Sequence, residues 1–598
     1  MHRSLLSGFF LLTALIFLIS ACAKVSSPTG GPKDRQPPVV LKCVPENGAR
    51  NFRGKIVSIT FDEYVVLDNI TEKFMVSPPM KKKPRIFIKG KSVNVEFEDK
   101  RKDSTTYTFY FQDAIKDLNE GNLIENYQFV FSTGSVIDSL SVTGNVFKAF
   151  NLEVPEKTMV LMYSNLEDSA VVKNLPDYIS RVDQTGYFRI DNVRAGRYNL
   201  YALTDADNSK NYNLTEQGFA FMGYPVDISP DKNYLPVVKD TSTVKKEASP
   251  ASVQPVKTGE YQLVLFTALK KDHYLSGSSR NMIYLLEYTL SMPPDSMKFE
   301  FSIPGTSSDA YKTESSRRRD TLKVWLTDST LYSQPQITTI VNYPFTDTLG
   351  ILDYKEDTVL MRFLEPRVPR SAKVKKPPFK IDINIRSGSL KPGQQIVFNS
   401  ETPLRQPDET RIWLYEVADT NRTKVLFSFF KDSTNSCRYI MQSKLMPGKK
   451  YLFIADSASF GNIYGDNIDS TGIRFTIREA DSYNLIKFTL NDIPGNLIIQ
   501  LLNTAEKLLG QVKLNQDGNV VFPLLEQGKY RARSIYDLNG DGEWTTGDFT
   551  LKRQPEPVSY YQEEIELKPG WNVESDNWNL ELRNMKDQKL KAKTNVKR

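Results

Sequence analysis

Histidine is nearly absent. There are two in 598 residues, and beyond the N-terminal apolar run only His273 remains, in a surface-like stretch beside Lys270, Lys271 and Asp272. A histidine-based triad or a multi-histidine zinc centre is hard to build from that. Cysteine is almost as scarce, with Cys22, Cys43 and Cys437 alone, so no disulfide framework supports the fold. Cys43 and Cys437 lie in different expected domains, and pairing in an oxidising envelope and burial as two free thiols both stay open. Phosphate-binding glycine loops, nucleophile elbows and zinc-protease helices are all missing. Asp62-Glu63 is the one early carboxylate pair available to glycoside chemistry, and it reads more simply as part of a strand. After residue 21 no segment is apolar enough to span a bilayer. The net charge of +7 is modest for this length. Its excess sits in Lys81-Lys82-Lys83 and in a C-terminal run holding Lys586, Lys589, Lys591, Lys593, Lys597 and Arg598. Neither cluster is interleaved with aromatic stacking platforms, so nucleic acid is not an expected partner. The chain is read as non-enzymatic.

What the chain has is β-patterning. Val57, Ile59 and Phe61 alternate with Ser58, Thr60 and Asp62; Val93, Val95 and Phe97 alternate with Asn94, Glu96 and Glu98; Tyr107, Phe109 and Phe111 alternate with Thr106, Thr108 and Tyr110. Period two places one face of each strand in a core and the other in water. Turn clusters at Pro45 to Gly48, Lys89 to Lys91 and Asn119 to Asn122 separate these strands at sandwich spacing. A repeat overlies the pattern: Gly186, Gly196, Tyr198, Asp205, Asp207, Ser209 and Glu216 return as Gly518, Gly528, Tyr530, Asp537, Asn539, Asp541 and Asp548, at a constant offset of 332 residues. The architecture is therefore duplicated.

The first residues set the compartment. Arg3, the apolar run Leu5 to Ile19 and Ile19-Ser20-Ala21-Cys22 resemble the lipobox of a bacterial lipoprotein, which implies a signal peptide over 1–21 and lipidation of Cys22. Residues 22–37 read as a flexible tether. From Pro45, Asn47 and Gly48, through Phe61-Asp62-Glu63-Tyr64, Ser77-Pro78, Thr106-Tyr107, Asn119 and Asn122, to Phe129-Val130-Phe131-Ser132-Thr133-Gly134, the chain resembles the bacterial Ig-like domain of S-layer type, assigned to 38–134. In Bacteroidota such a domain often follows a lipobox and a Gly-Gly-Pro tether, here Gly30-Gly31-Pro32. Asp183 to Phe188 and Ala195 to Leu200 are similar to the transthyretin-like, or carboxypeptidase-regulatory-like, β-sandwich (135–230), whose second copy (481–584) uses Asn515 to Gly518 and Gln527 to Tyr530. Residues 377–480 resemble a diverged Ig-like domain, with Phe398-Asn399-Ser400-Glu401 in place of the Phe-Asp-Glu-Tyr element. The polar stretch 231–258 reads as a linker, 259–376 as a β-domain of unknown type and 585–598 as a basic tail. The expected fold is all-β: a string of Ig-like and transthyretin-like sandwiches with a duplicated pair.

Two acidic loops carry the sharpest chemistry. Asp537, Asn539, Asp541, Glu543 and Asp548 place oxygens at positions one, three, five, seven and twelve of a loop with Gly542 at six, the spacing of a structural calcium site. The competing reading is a strand-connecting turn. The earlier loop offers Asp205, Asp207, Ser209, Asn211 and Glu216, but Lys210 occupies the glycine position. Among the tryptophans, Trp544 lies inside the second loop, and the others read as core or as sugar-stacking surface. Short Asp-Ser/Thr triplets, such as those beginning at Asp328, Asp347 and Asp432, resemble the O-glycosylation sequon of Bacteroidota. Together these features lead to the expectation of a lipid-anchored outer-membrane protein, held to the membrane through Cys22, that serves as a scaffold or accessory subunit of a β-barrel complex. A glycan-binding or adhesive surface protein is the alternative, and either face of the membrane stays open.

Overall fold

The computed structural model describes residues 34–213, 216–230, 260–269, 272–294, 296–364, 378–419, 421–493, 495–575, 578 and 580. The expectations for Cys22, the signal peptide, the linker and the basic tail lie outside them. Strands account for 49% of the structure and helix for 4%, so the fold is the expected all-β string of Ig-like sandwiches.

In the first sandwich, Ile56–Phe61 and Ser92–Glu96 pair at the centre of a four-stranded sheet flanked by Val40–Val44 and Arg85–Lys89, and it faces a sheet of Met75–Ser77, Thr106–Gln112 and Tyr127–Ser132. The alternation sends Val57, Ile59, Phe61, Val93 and Val95 inward against Tyr107, Phe109, Phe111, Phe129 and Phe131. One strand departs from the half-exposed expectation. Along Thr106–Gln112 both faces are buried, because the next sandwich covers the polar face. Asn192 Nδ2 donates to Thr108 Oγ1 at 2.9 Å, Asp191 N donates to the Tyr110 hydroxyl at 3.3 Å, and Thr106 Oγ1 donates to Asp138 at 2.9 Å. A polar strand face in a domain contact cannot be told from a wet one by its pattern.

The next sandwich corrects a boundary. Glu260–Thr267, expected to open a separate domain, runs parallel to Leu140–Lys148 and also meets Gly218–Phe221, completing an eight-stranded sheet. Leu263 and Leu265 belong to its core with Val142, Val146, Phe188 and Ile190. Residues 231–258 thus join two strands of one sandwich. The second copy repeats this order with a short connection. Asn484–Leu490 pairs antiparallel with Gly518–Leu525 and parallel with Val573–Ser575, just as Leu140–Lys148 pairs with Tyr187–Val193 and Glu260–Thr267. Gly528–Tyr536 meets Leu497–Asn503, Val558–Tyr560 and Ile565–Leu567, the counterpart of Gly196–Thr204 with its three neighbours. The repeated Gly-x-Tyr also has a structural reason. The Tyr198 hydroxyl donates to the Arg194 carbonyl at 2.9 Å and the Tyr530 hydroxyl to the Glu526 carbonyl at 2.7 Å, and each bond pins the turn four residues upstream.

Between the copies lie two further sandwiches. In one, Tyr288 donates to or accepts from Thr339 Oγ1 at 2.7 Å beneath the long hairpin of Gln336–Thr346 and Leu352–Arg362. His273 is buried there, with Nε2 3.2 Å from the Pro293 carbonyl, rather than surface-placed. In the other, Phe398, Phe453 and Phe460 centre the core. Its sheet of Asp382–Ile383, Ile396–Asn399, Arg438–Ser443 and Phe427–Lys431 follows the strand order of the first sandwich. Cys43 and Cys437 are both free and half-buried, and burial pushes the Cys437 thiol up to about 11.

Gly144 sits where the parallel strand crosses closest. A Cβ there would press on the Tyr261 carbonyl and lie 2.6 Å from the Phe188 ring. Gly144→Val should therefore lower unfolding free energy by about 3 kcal/mol in urea denaturation, whereas Gly277→Val, which meets nothing within 4 Å, should change it little.

Candidate functional site

The second acidic loop leaves the strand Gly528–Tyr536 and turns at Gly540 and Gly542, both at positive φ. Asp537 organises the turn. Its Oδ1 accepts from Gly540 N at 2.7 Å and its Oδ2 from Gly542 N at 2.9 Å. Asn539 Oδ1 accepts from Asp541 N at 2.9 Å while its Nδ2 donates to Asp541 Oδ2 and to Thr545 Oγ1, both at 2.8 Å. Asp541 Oδ1 accepts from Glu543 N at 2.7 Å. Burial opposes ionisation of Asp541, but these bonds, with Lys513 nearby, hold its carboxyl below the ordinary range. Glu543 points to solvent. Asp548 is buried, its side chain accepts from Leu551 N at 3.2 Å, and its main chain exchanges hydrogen bonds with that of Arg553 at 2.8 and 2.9 Å. Among the described residues no three His, Cys, Asp or Glu side chains gather as a metal cluster.

Glu556 was not singled out from the sequence, yet it ties the loop together. It is buried, and its Oε1 accepts from Leu538 N at 2.7 Å while its Oε2 accepts from Thr545 N at 2.9 Å. It lies eight residues past the last expected ligand, and Pro555 just before it was the only local cue.

The first loop is less complete. Asp205 is 8% exposed. Its Oδ2 accepts from Lys210 N at 3.2 Å, and its Oδ1 has no hydrogen-bond partner. The Asp207 carboxylate lies within hydrogen-bonding reach of it and accepts from Ser209 N at 3.1 Å and Asn213 Nδ2 at 2.9 Å. Asn211 is drawn away to the Asn174 carbonyl at 2.8 Å, and Glu216 is exposed beyond the undescribed residues 214–215. Burial and the Asp207 carboxyl raise Asp205 above the usual carboxylate range, whereas bonds from Asn213 and Ser209 depress Asp207. Ionised Asp207 thus contributes stability at neutral pH that is lost as pH falls through its lowered value; Asp205 acts in the opposite sense, its ionisation costing stability as pH rises through its raised value.

The second loop also continues into the first repeat. Phe549 inserts between rings, with centroids 5.0 Å from Phe219, 5.3 Å from Phe221 and 5.8 Å from Tyr201. Thr546 Oγ1 donates to the Thr267 carbonyl at 2.8 Å, Gln554 Nε2 to the Phe221 carbonyl at 2.9 Å, and Lys552 pairs with Asp168. In return the first copy sends Phe150 and Leu152 onto the second. Phe150 lies 4.9 Å from Trp544 and beneath the Arg533 guanidinium at 3.9 Å. Leu152 packs with Ile498, Leu502, Ile535, Val558 and Tyr560. These are the positions that in the first copy are Met159, Tyr163, Leu203, Phe219 and Phe221. Corresponding sheet faces are therefore buried against each other's repeat.

Residues 34–133 match the family model of the bacterial Ig-like domain. No curated protein matches the chain. Among solved structures, native alpha-2-macroglobulin from Escherichia coli, spanning domains MG0-NIE-MG1, is 13% identical over 50% of this chain and 97% of its own, with a TM-score of 0.16. The N-terminal part of the bacterial S-layer protein SbsC is 16% identical over 31% of this chain and 40% of its own, with a TM-score of 0.13. The Bacillus anthracis TIE protein is 12% identical over 51% and 57%, with a TM-score of 0.11.

Truncating Phe549 to Ala should lower stability by about 3 kcal/mol. A double-mutant cycle with Phe221→Ala should show a coupling of about 1 kcal/mol or more in thermal or chemical unfolding, because the two rings touch across the repeats.

Proposed function

We propose that this protein is a non-enzymatic scaffold of the bacterial envelope, anchored to the outer membrane through a lipidated Cys22, that acts as an accessory subunit of an outer-membrane β-barrel complex. The observation that supports this reading most is the interlocking of the first Ig-like sandwich with the two repeat sandwiches. Contacts such as Ile179 N to Ser77 Oγ at 3.1 Å and Arg533 NH1 to the Phe150 carbonyl at 3.3 Å join them without a linker between. A body stiffened in this way holds distant surfaces in a set relation, which is what a scaffold contributes to a larger complex. The bacterial Ig-like match supports a structural module and an envelope location.

A second reading, glycan binding, is favoured by one residue. Trp571 is 67% exposed with Lys568 Nζ 5.7 Å from its ring centroid, an aromatic face open to a sugar.

The scaffold reading predicts that a tagged full-length chain, recovered from outer membranes in mild detergent, brings down a β-barrel protein in near-equal amount, and that Cys22→Ser shifts the chain from the membrane to the soluble fraction. Recovery of the chain alone would count against it. Loss of binding on a glycan array in Trp571→Ala would then support the second reading.

A further inference from the structure

The two acidic loops stand at equivalent places in the duplicated sandwiches, so each is a control on the other. In the second loop Asp537 has both carboxylate oxygens filled, by Gly540 N at 2.7 Å and Gly542 N at 2.9 Å. In the first, Lys210 stands where Gly542 does and its N–H gives Asp205 Oδ2 the matching bond at 3.2 Å. The bond expected from Asn208, at the position of Gly540, is not made, and Asp205 Oδ1 is buried with no N–H or hydroxyl donor, its carboxyl lying beside that of Asp207. Buried charged oxygens are rarely left so, since desolvation without a compensating partner is costly.

The charges nearby do not fill the gap. Asp207, within reach of Asp205, is held ionised by Ser209 N and Asn213 Nδ2. The Lys210 ammonium donates to the Asn208 carbonyl at 3.2 Å. In the second copy the Lys513 side chain lies against Gly542 and close to Asp541. Its counterpart in the first copy, Arg181, reaches instead to the Glu72 carbonyl of the Ig-like sandwich. One repeat therefore has a lysine beside its acidic loop, and the other has lost that side chain to a domain contact.

We propose that the loop around Asp205 and Asp207 in the first repeat binds a divalent cation of the calcium type, with Asp205 Oδ1 facing the ion and Asp207 supplying the second carboxylate. The loop around it offers carboxylate, amide, hydroxyl and carbonyl oxygens from residues 205–213, with no thiol or imidazole, a donor set that suits calcium rather than zinc. The order drawn from spacing alone is reversed: the loop with glycine at position six closes on its own N–H groups, and the loop with lysine there keeps the open oxygen. This inference is independent of the scaffold reading.

The test is calorimetric titration of chelator-treated full-length chain with calcium chloride, paired with thermal unfolding with and without calcium, for wild type, Asp205→Asn, Asp207→Asn and Asp541→Asn. One calcium per chain is expected, with a raised melting temperature. Affinity should fall at least tenfold in Asp205→Asn and Asp207→Asn and stay unchanged in Asp541→Asn. Asp207 is exposed, so its variant decides the matter even if Asp205→Asn fails to fold. Absence of calcium-dependent heat and melting shift at millimolar calcium would overturn the proposal, as would loss of binding in Asp541→Asn with binding kept in Asp207→Asn.

Discussion

The docking of Phe549 into the ring cluster of Tyr201, Phe219 and Phe221 is the contact on which the arrangement of the molecule depends. An aromatic side chain carries a large apolar area, and edge-to-face packing adds to the burial term. Here one ring from residue 549 closes a sheet face more than 300 residues earlier in the chain. The polar bonds around it, Thr546 to Thr267 and Gln554 to Phe221, engage main-chain carbonyls and so fix register as well as proximity. Gly547 is required by the same approach, since a Cβ there would stand 2.6 Å from the Phe266 ring.

Duplication supplies the surfaces for this contact. Both copies present the same sheet face, and both faces are too apolar to leave in water: Met159, Leu161, Tyr163 and Leu203 in one, Ile498, Leu502 and Ile535 in the other. Each copy covers its partner with a different device. The first uses the turn holding Phe150 and Leu152, and the second uses the chain that follows its acidic loop. Where the faces differ the chemistry has been adjusted. Tyr201 in the first copy becomes Arg533 in the second, a buried guanidinium whose Nε donates to Gln500 Oε1 at 2.7 Å and which stacks on Phe150. The Ig-like sandwich extends the same logic by covering the polar face of its own Thr106–Gln112 strand with the first repeat. Domains joined in this way keep their surfaces in a set relation, the property on which the proposed scaffold role draws.

Much of this was legible in the residues. Period-two alternation located the strands of the first sandwich, and the offset of 332 residues located two copies whose strand pairings agree. The Gly-x-Tyr signature proved to be a turn pinned by a tyrosine hydroxyl. Two misreadings have a common origin. Glu260–Thr267 follows a long polar stretch, and its alternation fits a new domain as well as a returning strand; only its parallel pairing with Leu140–Lys148 decides. Thr106, Thr108 and Tyr110 look solvent-facing because hydrogen-bonding side chains serve a domain contact as well as water. In the acidic loops, spacing identifies candidate oxygens but not which of them already accept N–H bonds. Glu556, which holds one loop together, lies outside the spacing that drew attention to it.

The measurement that bears most directly on the joined arrangement is a cross-link across it. With Phe266→Cys and Gly547→Cys in the full chain, placed where a Cβ on residue 547 would stand 2.8 Å from Cγ of Phe266, mild oxidation should close an intramolecular disulfide in most molecules. Two thiols that stay free under the same conditions, with each variant folded, would show the repeats as independent beads on a string and contradict the account.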